Sequence, residues 1–439
     1  MSSPSTSPLY AWRLLAFLTL LNVVNFVDRQ LITSLQVPLR EELGLSPLQI
    51  TVLAGYAFAV IYAIAGLFLG TVADRWHRPR LIALGLFVWS ALTAASGLAQ
   101  NFWQLGMARF FIGIGEATLT PAAISMLSDV FHPRQRALAS GLYYLGIPIG
   151  AGLSLIVASL VGPIPSLGWP GTSWRSCFIA LGLIGVALVG ALLLVKDPQR
   201  GGLETTITTS HHSAPARSLS QMFSEVLTTM RRSPALVMTM IAGVLVNISV
   251  GSTWLDPSWL VKERGFDHSR ATLLLGVFFL IGGSFGNFLG GWLGDLFHKR
   301  WSGGRLLALV VIQVVIAPFG MAFRLLPPDS FLFLLCGLLS PILVTMIYGP
   351  IYASVQELTP VRVRATMIAV LIVGLMLLGA SLGGPLAAYI AERLTAAGFA
   401  QPLTAGIFIA GQVGLLAIPL LLLAAHRYSQ DLARVHETT

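Results

Sequence analysis

Charge is scarce in this 439-residue chain: Asp, Glu, Lys and Arg together make up 10% of it, where a water-soluble domain carries about a quarter. A surface with so few charges must face something other than water, which excludes a soluble globular fold. Lysine is scarcer still. Only Lys196, Lys262 and Lys299 are present, and none follows a glycine as a phosphate-cradling loop requires, so nucleotide-driven work has no support. The two cysteines, Cys177 and Cys336, sit inside apolar runs and imply neither a disulfide framework nor a thiolate metal site. No H-E-x-x-H occurs, so the expectation is a protein that is not an enzyme and carries no metal or cofactor. Two G-x-S-x-G matches, around Ser284 and Ser381, lack the strand that a nucleophile elbow needs and read as serines packed in apolar helices.

What the chain has in abundance is apolar residues, 55% of the total, gathered into runs of the roughly 20 residues that a bilayer demands of a helix. Twelve membrane helices are expected, at 14–38, 49–73, 80–99, 103–127, 136–162, 174–195, 234–260, 271–294, 304–325, 330–354, 363–391 and 403–426. The first run follows a lone Arg13 and is too long for a signal-peptide core, so it reads as a retained helix. The net charge of +9 forms no single basic face, which argues against a nucleic-acid partner. Its distribution is topological instead. With the N-terminus inside, Arg75, Arg78, Arg80, Arg136, Lys299, Arg305, Arg364 and Arg434 fall in inner segments, against Arg40, Arg175, Lys262 and Arg324 outside. That bias predicts a multi-pass protein of the plasma membrane with both termini cytoplasmic and the lipid bilayer as its partner.

The links between runs repeat. Gly70-x-x-x-Asp74 closes the second run and Gly291-x-x-x-Asp295 the eighth, while the link from Asp129 to Arg136 matches that from Glu357 to Arg364. A common offset of about 220 to 230 residues predicts a duplicated six-helix bundle. The halves are expected at 1–196 and 234–439, joined by a polar linker at 197–233. Within the linker, Leu219, Met222, Phe223, Val226, Leu227 and Met230 follow helical spacing, which suits a helix either on the inner membrane surface or packed on the protein. Gly282, Gly286, Gly290 and Gly294 recur every fourth residue and predict close helix approach.

Four charges stand out inside the runs: Asp28 and Arg29 in the first, Arg109 and Glu116 in the fourth. An ionised group at the bilayer centre costs several kcal/mol unless paired or hydrated, so each is a functional candidate. Seven residues apart, Arg109 and Glu116 share a helix face about 10 Å apart along its axis, and Asp28 falls between them in depth. Arg109 is therefore expected to reach either acid. Burial favours the protonated form of an acid and a nearby guanidinium the ionised form, so an arginine that changes partner makes a proton switch. A permanent salt-bridge network holding the first half together fits the same residues. Asn22, Asn25 and Arg29 add a polar stripe suited to a wet substrate cavity, and Asn247, Trp254, Thr345, Tyr348 and Tyr352 are its uncharged counterparts in the second half. For Arg29, next to an acid, structural or gating duty fits as well as substrate binding. At the inner ends, Asp74, with Arg75, is expected to approach the start of the eleventh run near Arg364, and Asp295 the start of the fifth near Arg136. Such contacts would latch an inner gate or simply steady the loops.

The segments Asn25-Phe26-Val27-Asp28-Arg29 and Arg109 to Ala117, with the duplicated links, resemble the major facilitator superfamily over nearly the whole chain. Gly115-Glu116-Ala117 and Gly146-Ile147-Pro148-Ile149-Gly150 look most like its Spinster-type branch, whose animal members export sphingosine-1-phosphate or lysophospholipids. The organic-anion symporter branch shares the Asp-Arg pair and the spaced Arg and Glu. The resemblance implies an all-α membrane fold in which two six-helix bundles rock about a central cavity. It also implies a monomeric, proton-coupled secondary transporter, with Asp28, Glu116 and Arg109 as the coupling residues. The substrate implied is amphipathic and lipid-like or, alternatively, a small organic anion. One departure is that Leu296 follows Asp295 where the first-half link has Arg75, which predicts a weaker second latch.

Overall fold

The computed structural model describes residues 8–160, 162–164, 169–199, 219–360 and 363–437. Twelve helices in it are long and apolar enough to cross a membrane: spans 1 to 6 at Pro8–Ser34, Pro47–Gly66, Arg78–Ser96, Phe102–Val130, Ala139–Ser159 and Trp174–Leu193, and spans 7 to 12 at Pro234–Arg264, His268–His298, Gly304–Leu325, Phe331–Glu357, Thr366–Ala396 and Pro402–Arg434. They answer the expected runs one for one. Large apolar side chains such as Ile64, Phe87, Phe111, Phe285, Phe288 and Trp292 are exposed on them, an arrangement that suits lipid rather than water. Two short antiparallel strands, Gly162–Ile164 and Trp169–Thr172, lie between spans 5 and 6.

The spans start where side-chain oxygens meet free backbone donors. Ser46 and Gln49 form a capping box ahead of span 2, and Asn101, Ser173, Ser233 and Ser330 cap spans 4, 6, 7 and 10. Each such cap stabilises its helix by about 1 kcal/mol. The turn before span 2 recurs in the second half. Gly44, at φ 63°, and Gly265, at φ 74°, end their helices in the left-handed conformation that glycine adopts without strain. Two residues further on, Ser46 and Asp267 accept from the backbone N–H groups of Gln49 and Arg270. The duplication is therefore written in turn geometry as well as in the inner links.

Contacts divide the chain into two compact units, the first holding spans 1 to 6 with Asp267–Gly276 and the second holding the rest of spans 7 to 12. Leu18, Leu21, Trp89, Ile112 and Leu119 anchor the first core, and Leu236, Leu306, Ile351, Val355 and Met367 the second. The linker helix, Leu219–Arg232, packs Val226 and Met230 against the second core and leaves Leu227 exposed. The glycine stripe of span 8 faces span 10: a Cβ on Gly282 would come within 2.5 Å of the Leu338 carbonyl.

Each unit carries a polar clasp at both ends. In the first, Glu42 at the end of the helix following span 1 accepts from Trp174 Nε1 at 2.5 Å and pairs with Arg175 at 2.8 Å at the start of span 6. In the second, Glu263 at the end of span 7 accepts from the N–H groups of Leu403 (2.6 Å) and Thr404 (2.8 Å) at the start of span 12. At the opposite end of the first unit, Arg78 pairs with Asp129 and with Asp197 (2.8 Å), and donates to Ser125 (3.0 Å) and the Pro198 carbonyl (2.6 Å). Its counterpart Arg305 pairs with Glu357 and with Asp295 (3.0 Å), and Tyr428 donates to Glu357. Arg78, at the start of span 3, is wholly buried, its charge met by two carboxylates.

Candidate functional site

Neighbouring residues on a helix diverge by about 100°, so Asp28 and Arg29 leave span 1 towards different partners. Asp28 turns to spans 3 and 4, where it accepts from the Thr93 hydroxyl and lies 3.5 Å from Arg109 Nη1. Arg109 Nη2 also donates to the Asp28 carbonyl at 2.9 Å and reaches that of Arg29 at 3.5 Å. Arg29 turns the other way and grips Glu116 Oε2 through Nη2 (2.8 Å) and Nε (3.1 Å). Its guanidinium lies over the rings of Phe26, Phe58 and Tyr62, at 4.7, 4.7 and 4.6 Å.

Close helix approach builds this cluster. A Cβ on Gly150 of span 5 would stand 2.6 Å from Phe26 Cβ, and one on Gly113 of span 4 would stand 3.0 Å from the Phe58 carbonyl of span 2. Glycine thus lets span 5 press against span 1 and span 4 against span 2, whose Phe58 and Tyr62 rings meet Arg29. Asn22 then donates to the Tyr143 carbonyl of span 5 at 2.8 Å, and Asn25 accepts from Arg29 at 3.4 Å.

One expectation changes in consequence. Instead of a single arginine shared by two acids, each acid has its own, Arg109 for Asp28 and Arg29 for Glu116, because the divergence along span 1 sets the pairs side by side. The four remain one network through the backbone carbonyls that Arg109 holds. Asp28, Arg109 and Glu116 are each 1% exposed, while the Arg29 side chain is 12% exposed and is the member most open to an incoming molecule. Glu116 Oε1, Arg109 Nε, Asn22 Oδ1 and Asn25 Nδ2 are buried with no hydrogen-bond partner in the protein. A leftover buried polar atom costs about 1–3 kcal/mol, so a cluster that keeps several is not tuned for stability alone.

In the second unit, Tyr348 donates to Asn247 Oδ1 at 3.0 Å and stacks on Tyr352, the ring centroids 6.4 Å apart. Trp254 lies in the 3-10 turn Thr253–Leu255 further along span 7. Thr345, by contrast, is spent on structure: its hydroxyl donates to the Gly283 carbonyl at 2.8 Å, within a π-turn of span 8. The second half is also less neutral than expected. Asp256 and Arg324, the latter at the end of span 9, form a buried ion pair at 2.8 Å. Asp256 was detectable by the same signal as Asp28, an acid inside an apolar run.

Of the gate candidates, the side chains of Asp74, Arg75, Arg136 and Arg364 lie outside the described part of the structure. Asp295 is described, and it pairs with Arg305 of its own unit. The residues that sequence did not single out around the charged cluster are Thr93, Phe58, Tyr62 and Tyr143. Neutral side chains in long apolar runs give no individual signal.

Known proteins place this arrangement. The chain is 27% identical to an MFS-type efflux pump of Mycolicibacterium smegmatis (strain ATCC 700084 / mc(2)155), over 97% of this chain and 95% of the relative. It is 29% identical to a probable L-galactonate transporter of Escherichia coli (strain K12), over 63% of this chain and 60% of the relative. With the protein spinster of Drosophila melanogaster it shares 26% identity, over 66% of this chain and 47% of the relative. The fold superposes on an inward-facing, unoccupied crystal structure of a bacterial homolog of the human lysosomal transporter Spinster, with TM-score 0.74, 24% identity and 98% of both chains covered. The family profile matches residues 18–384, and the chain is therefore a multi-pass membrane protein belonging to the Major Facilitator Superfamily, with Spinster-type proteins among its relatives.

Proposed function

We propose that the protein is a proton-coupled secondary transporter working by alternating access, with Asp28, Glu116, Arg109 and Arg29 as its coupling machinery. The observation that carries this reading is the pairing of two buried acids with two arginines in one network that leaves some of its polar atoms unused. Protonating an acid releases its arginine, and a released guanidinium in a low-dielectric site must find another partner. Proton binding and a change of contacts are thereby linked. In this reading the monomer lies in the plasma membrane with both termini cytoplasmic, as the distribution of cations suggests. Asp74 with Arg364 and Asp295 with Arg136 are retained as proposed contacts of the cytoplasmic gate.

The substrate favoured is amphipathic and lipid-like. Arg29 and Arg109 are both committed to carboxylates, and Asn247, Tyr348 and Tyr352 offer aromatic and amide surface without charge. A second reading, a small organic anion, has a specific observation behind it: Arg29 is the exposed member of the cluster, and a proton on Glu116 would free it for a substrate carboxylate. The similarity to a probable L-galactonate transporter points the same way. Purified protein in proteoliposomes carrying an internal pH dye tests both, with lysophospholipids and sugar acids offered in turn. Substrate-dependent proton movement that Asp28→Asn and Glu116→Gln abolish is the expected result. Movement at the wild-type level in either variant overturns the assignment.

A further inference from the structure

The second unit has a partly open pocket of about 120 Å³ between spans 7, 9, 10 and 12, whose lining does not include Asn247 or Tyr348. Its walls are mostly apolar, with Val250, Ile347 and Phe408 among them, and its polar lining includes Ser249, Gln313 and Arg324. Arg324 is held in place from one side. Its Nη2 is 2.8 Å from Asp256 Oδ1 and 2.9 Å from Oδ2, and its guanidinium lies 4.5 Å from the centre of the Trp259 ring. Nη1 of the same group is buried without a partner, and so is Gln313 Nε2, in side chains 4% and 9% exposed. The hydroxyl of Ser249 is already used, donating to the Gly411 carbonyl at 2.6 Å and accepting from Gly414 N–H at 2.8 Å.

Among the described residues, then, both unpartnered buried atoms of the lining are donors, and one belongs to a permanent cation. The unused buried hydrogen-bonding capacity of the lining is therefore on the donor side. Water satisfies an amide such as Gln313. A guanidinium edge in an apolar wall favours a charged acceptor, because charge-assisted hydrogen bonds are about twice as strong as neutral ones. Asp256 pairs with Nη2 and is not part of the lining, so it neutralises the arginine on one edge and leaves Nη1 of this lining residue without a partner. A volume of about 120 Å³ is enough for one small anion with its water.

We propose that this pocket is a binding site for a small monovalent anion, halide or short carboxylate, held on Arg324 Nη1 and separate from the coupling cluster of the first unit. The site is independent of the substrate question, since it stands or falls on side chains of spans 7, 9, 10 and 12 alone.

The test is thermal unfolding of the purified full chain at constant ionic strength, with sodium isethionate replaced stepwise by sodium chloride or, separately, by sodium acetate. A saturable rise in Tm in one of these is expected, and the more potent one identifies the anion class. Gly320→Leu fills the pocket while keeping both members of the ion pair: Gly320 lines it, and a Cβ there meets only Ser340 Oγ at 4.0 Å. That variant should fold with an undiminished Tm in isethionate and lose the anion-dependent rise. A bromide soak should place an anomalous peak beside Arg324. Equal Tm in all three salts, a full anion response in Gly320→Leu, or a bromide peak elsewhere would each overturn the proposal.

Discussion

The guanidinium of Arg29 holds the carboxylate of Glu116 at 2.8 Å while its neighbour in sequence, Asp28, is turned away to Arg109. Adjacent residues of one helix thus serve two ion pairs of opposite polarity, and a small rotation of span 1 disturbs both at once.

Removing one partner exposes what the pairs are for. Glu116→Gln leaves Arg29 as a buried cation without its counter-charge, a change that costs about 3–5 kcal/mol in fully buried pairs and less here, where three rings attend the guanidinium. Arg29→Gln combined with Glu116→Gln should recover most of the lost Tm. Neither variant should move protons with substrate. A double variant that keeps wild-type coupling in the liposome assay would show the pairs to be a static brace.

Thr93 supplies a hydroxyl to Asp28 from span 3. Thr93→Val keeps the shape and deletes the donor, with an expected loss of about 1–3 kcal/mol and of proton-driven uptake, whereas Thr93→Ser should retain both. Scanning fluorimetry and flux on the same preparations decide it.

Span 5 offers a paired control for helix approach. Gly150→Leu drives a side chain into Phe26 and should cost about 1–3 kcal/mol and impair transport. Gly141→Leu, whose Cβ meets nothing within 4 Å, should leave both unchanged.

The two inner clasps should differ in weight. Arg78→Gln strands Asp129 and Asp197 around a wholly buried site and should cost about 3–5 kcal/mol. Arg305 has a 15% exposed side chain and a 66% exposed partner in Asp295, so Arg305→Gln should cost nearer 1 kcal/mol. The two melting temperatures, measured in one detergent, make the comparison.

Much of the architecture is legible in the amino-acid sequence. A bilayer imposes one helix length, so the twelve spans can be counted from run lengths, and Asp28, Arg109 and Glu116 stand out because charge is rare in apolar runs. Which arginine meets which acid is not legible there. That choice depends on the direction in which each side chain leaves its helix and on how closely spans 2, 3 and 5 approach, and periodicity gives depth without azimuth. The burial of Arg78 is not legible for a similar reason: its two acids are 51 and 119 residues away in the chain.

At the far end of span 12, Asp431 accepts from Ala235 N–H at 2.8 Å and from the Ser233 hydroxyl at 3.3 Å. The acceptor that finishes the opening turn of span 7 comes 196 residues after it. During synthesis, span 7 must therefore enter the membrane with that turn unfinished, and the second bundle closes on itself only once span 12 is in place.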